Sequence, residues 1–284
     1  MASRQFLLQR KVPTSSRNGG YPALKRTLSM KIVTWNVNSI RARLDNITDW
    51  LRTNHPDVVL LQETKCQNHD FPLEAIEDCG YNVAVHGQKS YNGVAILSKH
   101  RIEDVIYGLP PFAEDEQARY IEGFTNGVRV ASVYVPNGNT VGSEKFHYKL
   151  KFLGHLQNHL KTTLLYEEAF VIGGDYNIAP TDEDVNDPAG WHEKILCSTP
   201  ERKSLRAILN LGYSDAIRIH HQGKGPYTWW DYRSGSWQND DGLRIDLLLL
   251  SPQAVDRLAG SGVDRDPRGL EKASDHAPTW CTLL

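Results

Sequence analysis

A chain of 284 residues that is 40% hydrophobic and 23% charged can bury one large core, and no apolar run approaches the roughly 20 residues that a membrane-spanning helix needs. Four cysteines, Cys66, Cys79, Cys197 and Cys281, lie far apart with no Cys-x-x-Cys pair, which argues against a zinc site and a disulfide framework and fits a reducing compartment. The formal charge of −2 hides an imbalance: residues 1–29 hold six of the 32 basic residues and no acid, so 26 remain against 34 acids, a body of −8 from Met30 onward. Affinity for nucleic acid must then come from a local basic strip or a bound cation.

Residues 1–29 carry Arg4, Arg10, Lys11, Arg17, Lys25 and Arg26 with Gly19-Gly20, two prolines and no hydrophobic periodicity, and read as a disordered tail. A mitochondrial transit peptide and a leader preceding a start at Met30 explain it equally well. From Met30 the chain alternates. Lys31–Asn38 reads as a strand ending on two asparagines, then Ser39 offers an N-cap to a helix with Ile40, Leu44, Ile47 and Leu51 on one face. Asp57–Glu63 is the next strand, and shorter runs follow at Tyr81–His86, Gly93–Ser98, Arg119–Phe124 and Val128–Val135. A helix is predicted over Ser143–Leu165, from Phe146, Leu150, Leu153, Leu156 and Leu160.

Phe170-Val171-Ile172-Gly173-Gly174-Asp175-Tyr176-Asn177 follows, an apolar run that stops on two glycines, a carboxylate and a carboxamide. Beyond it come an irregular stretch, a helix near Pro200–Leu211, the aromatic segment Tyr227–Tyr232, and strands Arg244–Leu250 and His276–Leu283. Strands outnumber helices, and the helices fall between groups of strands. That pattern predicts a four-layer α/β sandwich, two packed mixed sheets flanked by helices, formed by one domain over residues 30–284.

The strand-like segments end in one kind of chemistry: Asn36 and Asn38, Glu63, Tyr134, Asp175 with Asn177, Asp246, and Asp275-His276 ahead of the last strand. Brought together, these would make an oxygen-rich pocket with one histidine, suited to a hard cation such as magnesium. Plainer readings stand beside this one. Gly-Asp-Tyr-Asn makes an ordinary turn, Glu63 a solvated carboxylate, Asn36 and Asn38 helix caps, and Tyr134 a packing residue. Asp246, beginning an apolar run, is costly to bury without a partner, and His276 is the candidate.

Thr34–Arg43, Leu61-Gln62-Glu63-Thr64-Lys65, Gly173–Asp182, Gly242-Leu243-Arg244-Ile245-Asp246 and Ser274-Asp275-His276-Ala277-Pro278 together resemble, in order, the signatures of the exodeoxyribonuclease III family of abasic-site endonucleases. The resemblance runs from Met30 to the C-terminus. It implies a DNase I-like fold, a Mg²⁺ cofactor that Mn²⁺ can replace, and hydrolysis of duplex DNA 5′ to abasic sites in base excision repair. It also implies 3′→5′ exonuclease and 3′-phosphatase activity on blocked 3′ ends.

Carried over, Glu63 is the main metal ligand, and Asn38, Asp175, Asn177, Asp275 and His276 lie about the metal. Asp175 handles the attacking water with Asn177, and His276, paired with Asp246, and Tyr134 stabilise the phosphate. Asn36 holds the network. Trp229, with Leu243 and Ile245, would wall a pocket for a flipped abasic sugar; the plainer reading of the aromatics is core, which suits Trp230 more than Trp229. Arg41 and Lys65, less securely Arg43, Lys89 and Arg233, would meet DNA phosphates. A monomer is expected. The bacterial type, and so the cytoplasm, is favoured, with mitochondrion or nucleus if the tail is a targeting segment. Rival readings are another phosphoesterase on the same fold and a DNA-binding module without catalysis.

Overall fold

The computed structural model describes residues 29–284. The basic tail therefore lies, but for Ser29, outside the described residues. Among these the chain forms β1 (Met30–Asn36), α1 (Leu44–Asn54), β2 (Val58–Gln62), α2 (Leu73–Glu77), β3 (Asn82–His86), β4 (Val94–Ser98), β5 (Glu103–Tyr107), β6 (Tyr120–Thr125) and β7 (Val128–Tyr134). Then come α3 (Glu144–Thr163), β8 (Phe170–Asp175), α4 (Pro188–Trp191), α5 (Thr199–Leu209), β9 (Ser214–Asp215), α6 (Ala216–His220), β10 (Asp246–Leu250), β11 (Leu258–Val263) and β12 (Thr279–Leu283).

The strands make two six-stranded sheets, in the orders β11-β12-β1-β2-β4-β3 and β5-β6-β7-β8-β10-β9. Each sheet contains one parallel pair, β1 with β2 and β7 with β8, among antiparallel neighbours. The sheets face each other across Ile32, Leu60, Ile96, Val130, Val171 and Leu248, all fully buried. Strands covered on both faces carry continuous apolar runs, which is why β2, β8 and β10 were readable. The second sheet packs on α3 and α5 through Phe152, Leu156, Ile172, Ile208 and Leu249, and the first on α1 through Trp35, Ile47, Leu51 and Val59. This is the expected four-layer α/β sandwich of the DNase I-like kind.

The glycine pair in β8 is a packing device. A Cβ on Gly173 would lie 2.8 Å from both Leu248 Cδ2 and Leu60 Cδ1, so its absence lets the two sheets close. One on Gly174 would lie 1.9 Å from the Val133 carbonyl oxygen, on the neighbouring strand of its own sheet.

The helix expected from Ser39 starts at Leu44 instead, with no side-chain cap. Val37, Ser39 and Ile40 donate their backbone N–H groups to the carbonyls of Gln62, Glu63 and Thr64. The chain thus stays bound to the segment leaving β2, and Ser39, at φ 88°, accepts only a long 3.4 Å bond from the Ala42 N–H, in the turn ahead of the helix.

Candidate active site

Sheet topology gathers the polar strand ends. β1, β2, β7 and β8 all finish at one end of the sandwich, with Tyr134 in register with Asp175. β10 runs antiparallel to β8, so its first residue pairs with the last of β8, Asp246 with Asp175. β12 runs antiparallel to β1, which brings the segment before it to the same place. There Trp35 Nε1 donates to the His276 carbonyl at 3.1 Å, and Ser274 Oγ donates to that of Asn36 at 2.7 Å. Beneath them Gln62 Nε2 spans the sheets, donating to Thr34 Oγ1 at 3.0 Å and to Ser132 Oγ at 2.9 Å.

At the centre, His276 Nδ1 lies 2.8 Å from Asp246 Oδ2, and its Nε2 lies 3.7 Å from Asp175 Oδ2. All three side chains are buried. The Asp175 carboxylate accepts from the Asn177 backbone N–H at 2.8 Å, from Asn177 Nδ2 at 3.2 Å and from Asn36 Nδ2 at 3.0 Å. The Asn36 amide also donates to Glu63 Oε1 at 2.8 Å. Asn38 Nδ2 donates to Asp275 Oδ1 at 2.9 Å, and Trp229 Nε1 to Asp275 Oδ2 at 3.0 Å. Asn38, Glu63, Lys65 and Asn177 all sit at positive φ, between 44° and 52°. Such left-handed backbone costs about 1–2 kcal/mol per ordinary residue and persists where surrounding bonds hold it.

The charges settle asymmetrically. Burial pushes the Asp175 carboxyl up, assisted by the neighbouring Asp246 and Glu63 and opposed by His276, to about 7. For His276 burial favours the neutral ring, but the carboxylates of Asp246 and Asp175 overcome it and lift the pKa to about 10. The pair titrates as a unit, and at neutral pH the ring is an imidazolium. Burial, with the charges of Glu63 and Asp175, drives the Tyr134 phenol well above its usual value, so it keeps its proton. Burial would also raise Glu63 and Asp275, but Lys65 and the Asn36 amide outweigh it for Glu63, and His276, Trp229 and Asn38 for Asp275; both stay ionised.

Two positions could hold a cation. Asp175, Asp246 and His276 place one donor atom each within 4.8 Å of one another. There, however, the imidazole spends Nδ1 on Asp246, and a protonated ring offers no lone pair, so His276 suits the phosphate better than the metal. The second lies at Glu63 and Asn38, where the Lys65 ammonium sits 2.7 Å from Glu63 Oε2 and 2.5 Å from Asn38 Oδ1. A positive charge already rests between those oxygens, which are the hard donors magnesium prefers, so these residues fit a divalent cation.

Three contact residues sit differently from the sequence expectation. Lys65 turns its ammonium inward to Glu63 and Asn38 rather than outward to a phosphate. Leu243 and Ile245 are 1% and 2% exposed, packed with Val185, Leu196 and Cys197, and offer almost no surface to a sugar. Trp229 is half-buried, edge-on to Trp191, while Trp230 is fully buried. Arg41, Lys89 and Arg233 are exposed, and Arg43 is held by the Asn38 carbonyl and, at 3.1 Å, by the Tyr232 hydroxyl.

Two groups lie outside the site residues that the sequence pointed to. Asn137, in the loop after β7, donates through Nδ2 to Asn177 Oδ1 at 2.9 Å. Lys149 stands on the buried stripe of α3, between Phe146 and Phe152. A lysine three residues from each of two core phenylalanines was the available signal.

Fold and cluster together define a phosphoesterase of the four-layer DNase I-like class. The Endonuclease/Exonuclease/phosphatase family matches residues 33–276, and the chain belongs to that family, in its exodeoxyribonuclease III branch. It is 35% identical to exodeoxyribonuclease III of Haemophilus influenzae, over 88% of this chain and 98% of that one. Its fold is similar to that of the 3′ phosphatase NExo from Neisseria bound to product DNA hairpin, with TM-score 0.88, 42% identity, and 90% and 99% of the two chains covered. An AP endonuclease from Archaeoglobus fulgidus is also similar, with TM-score 0.86, 38% identity, and 89% and 99% covered.

Proposed function

We propose that the protein is a DNA repair nuclease that hydrolyses the phosphodiester 5′ to abasic sites in duplex DNA and clears 3′ ends as an exonuclease and phosphatase. The buried Asp175, His276 and Asp246 row carries this reading: a carboxyl poised near neutrality beside a ring held charged is the pairing that acid-base chemistry at a phosphate needs. Asp175 accepts a proton from the attacking water, and Asn177 and Asn36 fix the orientation of its carboxylate. His276, kept cationic by Asp246, and the Tyr134 hydroxyl donate to the phosphate oxygens as negative charge builds on them. Magnesium or manganese held by Glu63 and Asn38, with Asp275 beside them, would supply neutralisation of the phosphate and of the departing 3′ oxygen. Exposed Arg41 and Lys89 offer the local cations that an acidic body lacks, whereas Arg233 is paired with Asp231 at 2.7 Å.

One observation tilts the balance between activities. The walls assigned to an abasic-sugar pocket, Leu243 and Ile245, are packed by the protein's own side chains. A terminal 3′ phosphate needs no flipped sugar, and the Neisseria 3′ phosphatase is among the similar structures, so 3′-end processing is the stronger activity in this reading. One chain supplies every residue of the cluster, so a monomer suffices, and the bacterial relative supports placement in the bacterial cytoplasm.

The test uses two duplexes with Mg²⁺, one holding a tetrahydrofuran abasic analogue and one a 3′ phosphate at a nick. Incision 5′ to the analogue and faster phosphate release are expected, both stopped by EDTA and reduced at least about 10²-fold by Asp175→Asn. Both substrates remaining intact at high enzyme concentration would reject the proposal.

A further inference from the structure

Beneath the cluster lies an ion pair that the proposed chemistry does not use. Lys149 of α3 and Glu201 of α5 both have no exposed side-chain surface, and the ammonium donates to Glu201 Oε1. Its other two bonds go to backbone carbonyls, Asn177 at 2.7 Å and Asn137 at 3.1 Å. Those residues belong to the two loops whose carboxamides meet each other, Asn137 Nδ2 to Asn177 Oδ1, above Asp175. Glu201 in turn accepts from the backbone N–H groups of Leu196 and Ser198, each at 3.1 Å. The Leu196 carbonyl then accepts from the Ala179 N–H at 2.8 Å, which closes the loop back on the strand end that carries Asp175.

The local backbone is shaped to fit. Gly138, at φ 89°, passes so close that a Cβ there would lie 3.1 Å from Lys149 Cδ and 3.0 Å from Ile195 Cδ1. Asn177 itself is held at φ 49°. Lysine has three donors and no acceptor, and all three are spent here. If stability alone mattered, well-packed apolar side chains would serve as well or better, because desolvating two charges offsets most of their attraction.

We propose that Lys149 is a positioning residue for the nuclease reaction, a fixed ammonium that holds the Asn137 and Asn177 loops in the one register that aims both carboxamides at the reacting centre, with Glu201 as its counter-ion. This rests on the reading of Asp175 and Asn177 given above. A displacement of about 1 Å at such a centre costs on the order of 10²-fold in rate.

The experiment separates folding from positioning. Lys149→Met alone strands the Glu201 charge and is expected to destabilise the protein. Lys149→Met combined with Glu201→Gln removes both charges and should recover a cooperative thermal transition close to that of the wild type. In that folded double variant kcat for 3′-phosphate release should fall by about 30- to 100-fold while KM stays within about threefold. Amide hydrogen exchange of residues 137–139 and 176–179 in the free protein should quicken at least about tenfold, with the β1 and β12 amides unchanged.

Wild-type kcat together with wild-type exchange in the double variant would overturn the inference and leave Lys149 an ordinary buried pair. Failure of the double variant to fold would also overturn it, because the pair would then be needed for the fold itself. An inactive wild-type protein would instead reject the site reading, while the exchange measurement would still decide whether Lys149 anchors the loops.

Discussion

Asp246 shows how one carboxylate sets the working pH of another residue. Its Oδ2 holds His276 Nδ1 at 2.8 Å, its Oδ1 has no hydrogen-bond partner among the described residues, and its side chain is fully buried, so its charge acts on the imidazole with little screening. The two limbs of the pH profile follow. Asp175 must be ionised to take a proton, so the rate rises as pH passes about 7; His276 must stay protonated, so it falls as pH passes about 10. Asp246→Asn removes the stronger of the two carboxylate attractions on the ring, and the falling limb should move from near 10 toward the ordinary 6.5. Kinetics from pH 5 to 11 would show this, and an unmoved falling limb would remove Asp246 from the assignment. That the His276–Asp246 pairing could be anticipated at all comes from cost: a carboxylate opening the run Leu247–Leu250 demands a partner. Lys65 could not be anticipated in the same way. Its sequence neighbours say only that a cation stands near Glu63, and whether it turns outward or inward is decided by Asn38, 27 residues away.

At the scale of elements, β8 organises the sandwich because it lacks side chains where both neighbours crowd it. The two glycines fail differently when filled. Alanine at Gly173 pushes on Leu248 Cδ2 and Leu60 Cδ1, side-chain ends that can shift, and overpacking of that kind costs about 1–3 kcal/mol. Alanine at Gly174 meets the Val133 carbonyl oxygen and must break or bend the β7–β8 ladder, so its cost should exceed about 4 kcal/mol. Urea midpoints of the two variants measure the difference, and equal losses would show that the sheet yields as easily as the side chains. Central strands declared themselves in the sequence for the same reason that β8 is tightly packed, since burial on two faces demands apolar runs. The strands that escaped prediction, β5, β9 and β11, are all sheet edges. β5 reads Glu-Asp-Val-Ile-Tyr with both acids exposed, β9 is two residues long, and β11 carries two glycines. An edge strand has one partner and is covered less, so little in its composition distinguishes it from loop.

Across the whole molecule, the candidate site belongs to neither sheet. Asn36 and Glu63 come from the ends of β1 and β2 in one, Tyr134, Asp175 and Asp246 from β7, β8 and β10 in the other, and His276 from the approach to β12. The 3.0 Å bond from Asn36 Nδ2, on one sheet, to Asp175 Oδ2, on the other, holds only while the sheets stay packed. Their shared core is the layer of Ile32, Leu60, Val130, Val171 and Leu248, with the Gln62, Thr34 and Ser132 network directly under the site. Neither sheet can keep its inner face buried without the other, so the two should lose structure together. In urea, loss of 3′-phosphatase activity, loss of far-ultraviolet circular dichroism and exposure of the Trp35 environment should then follow one curve with one midpoint. Activity lost well below the structural transition would place the site in a region that opens locally, such as the loops around Asn137 and Asn177. Two structural transitions would show instead that the sheets fold as separate units and that the catalytic arrangement is assembled by docking them.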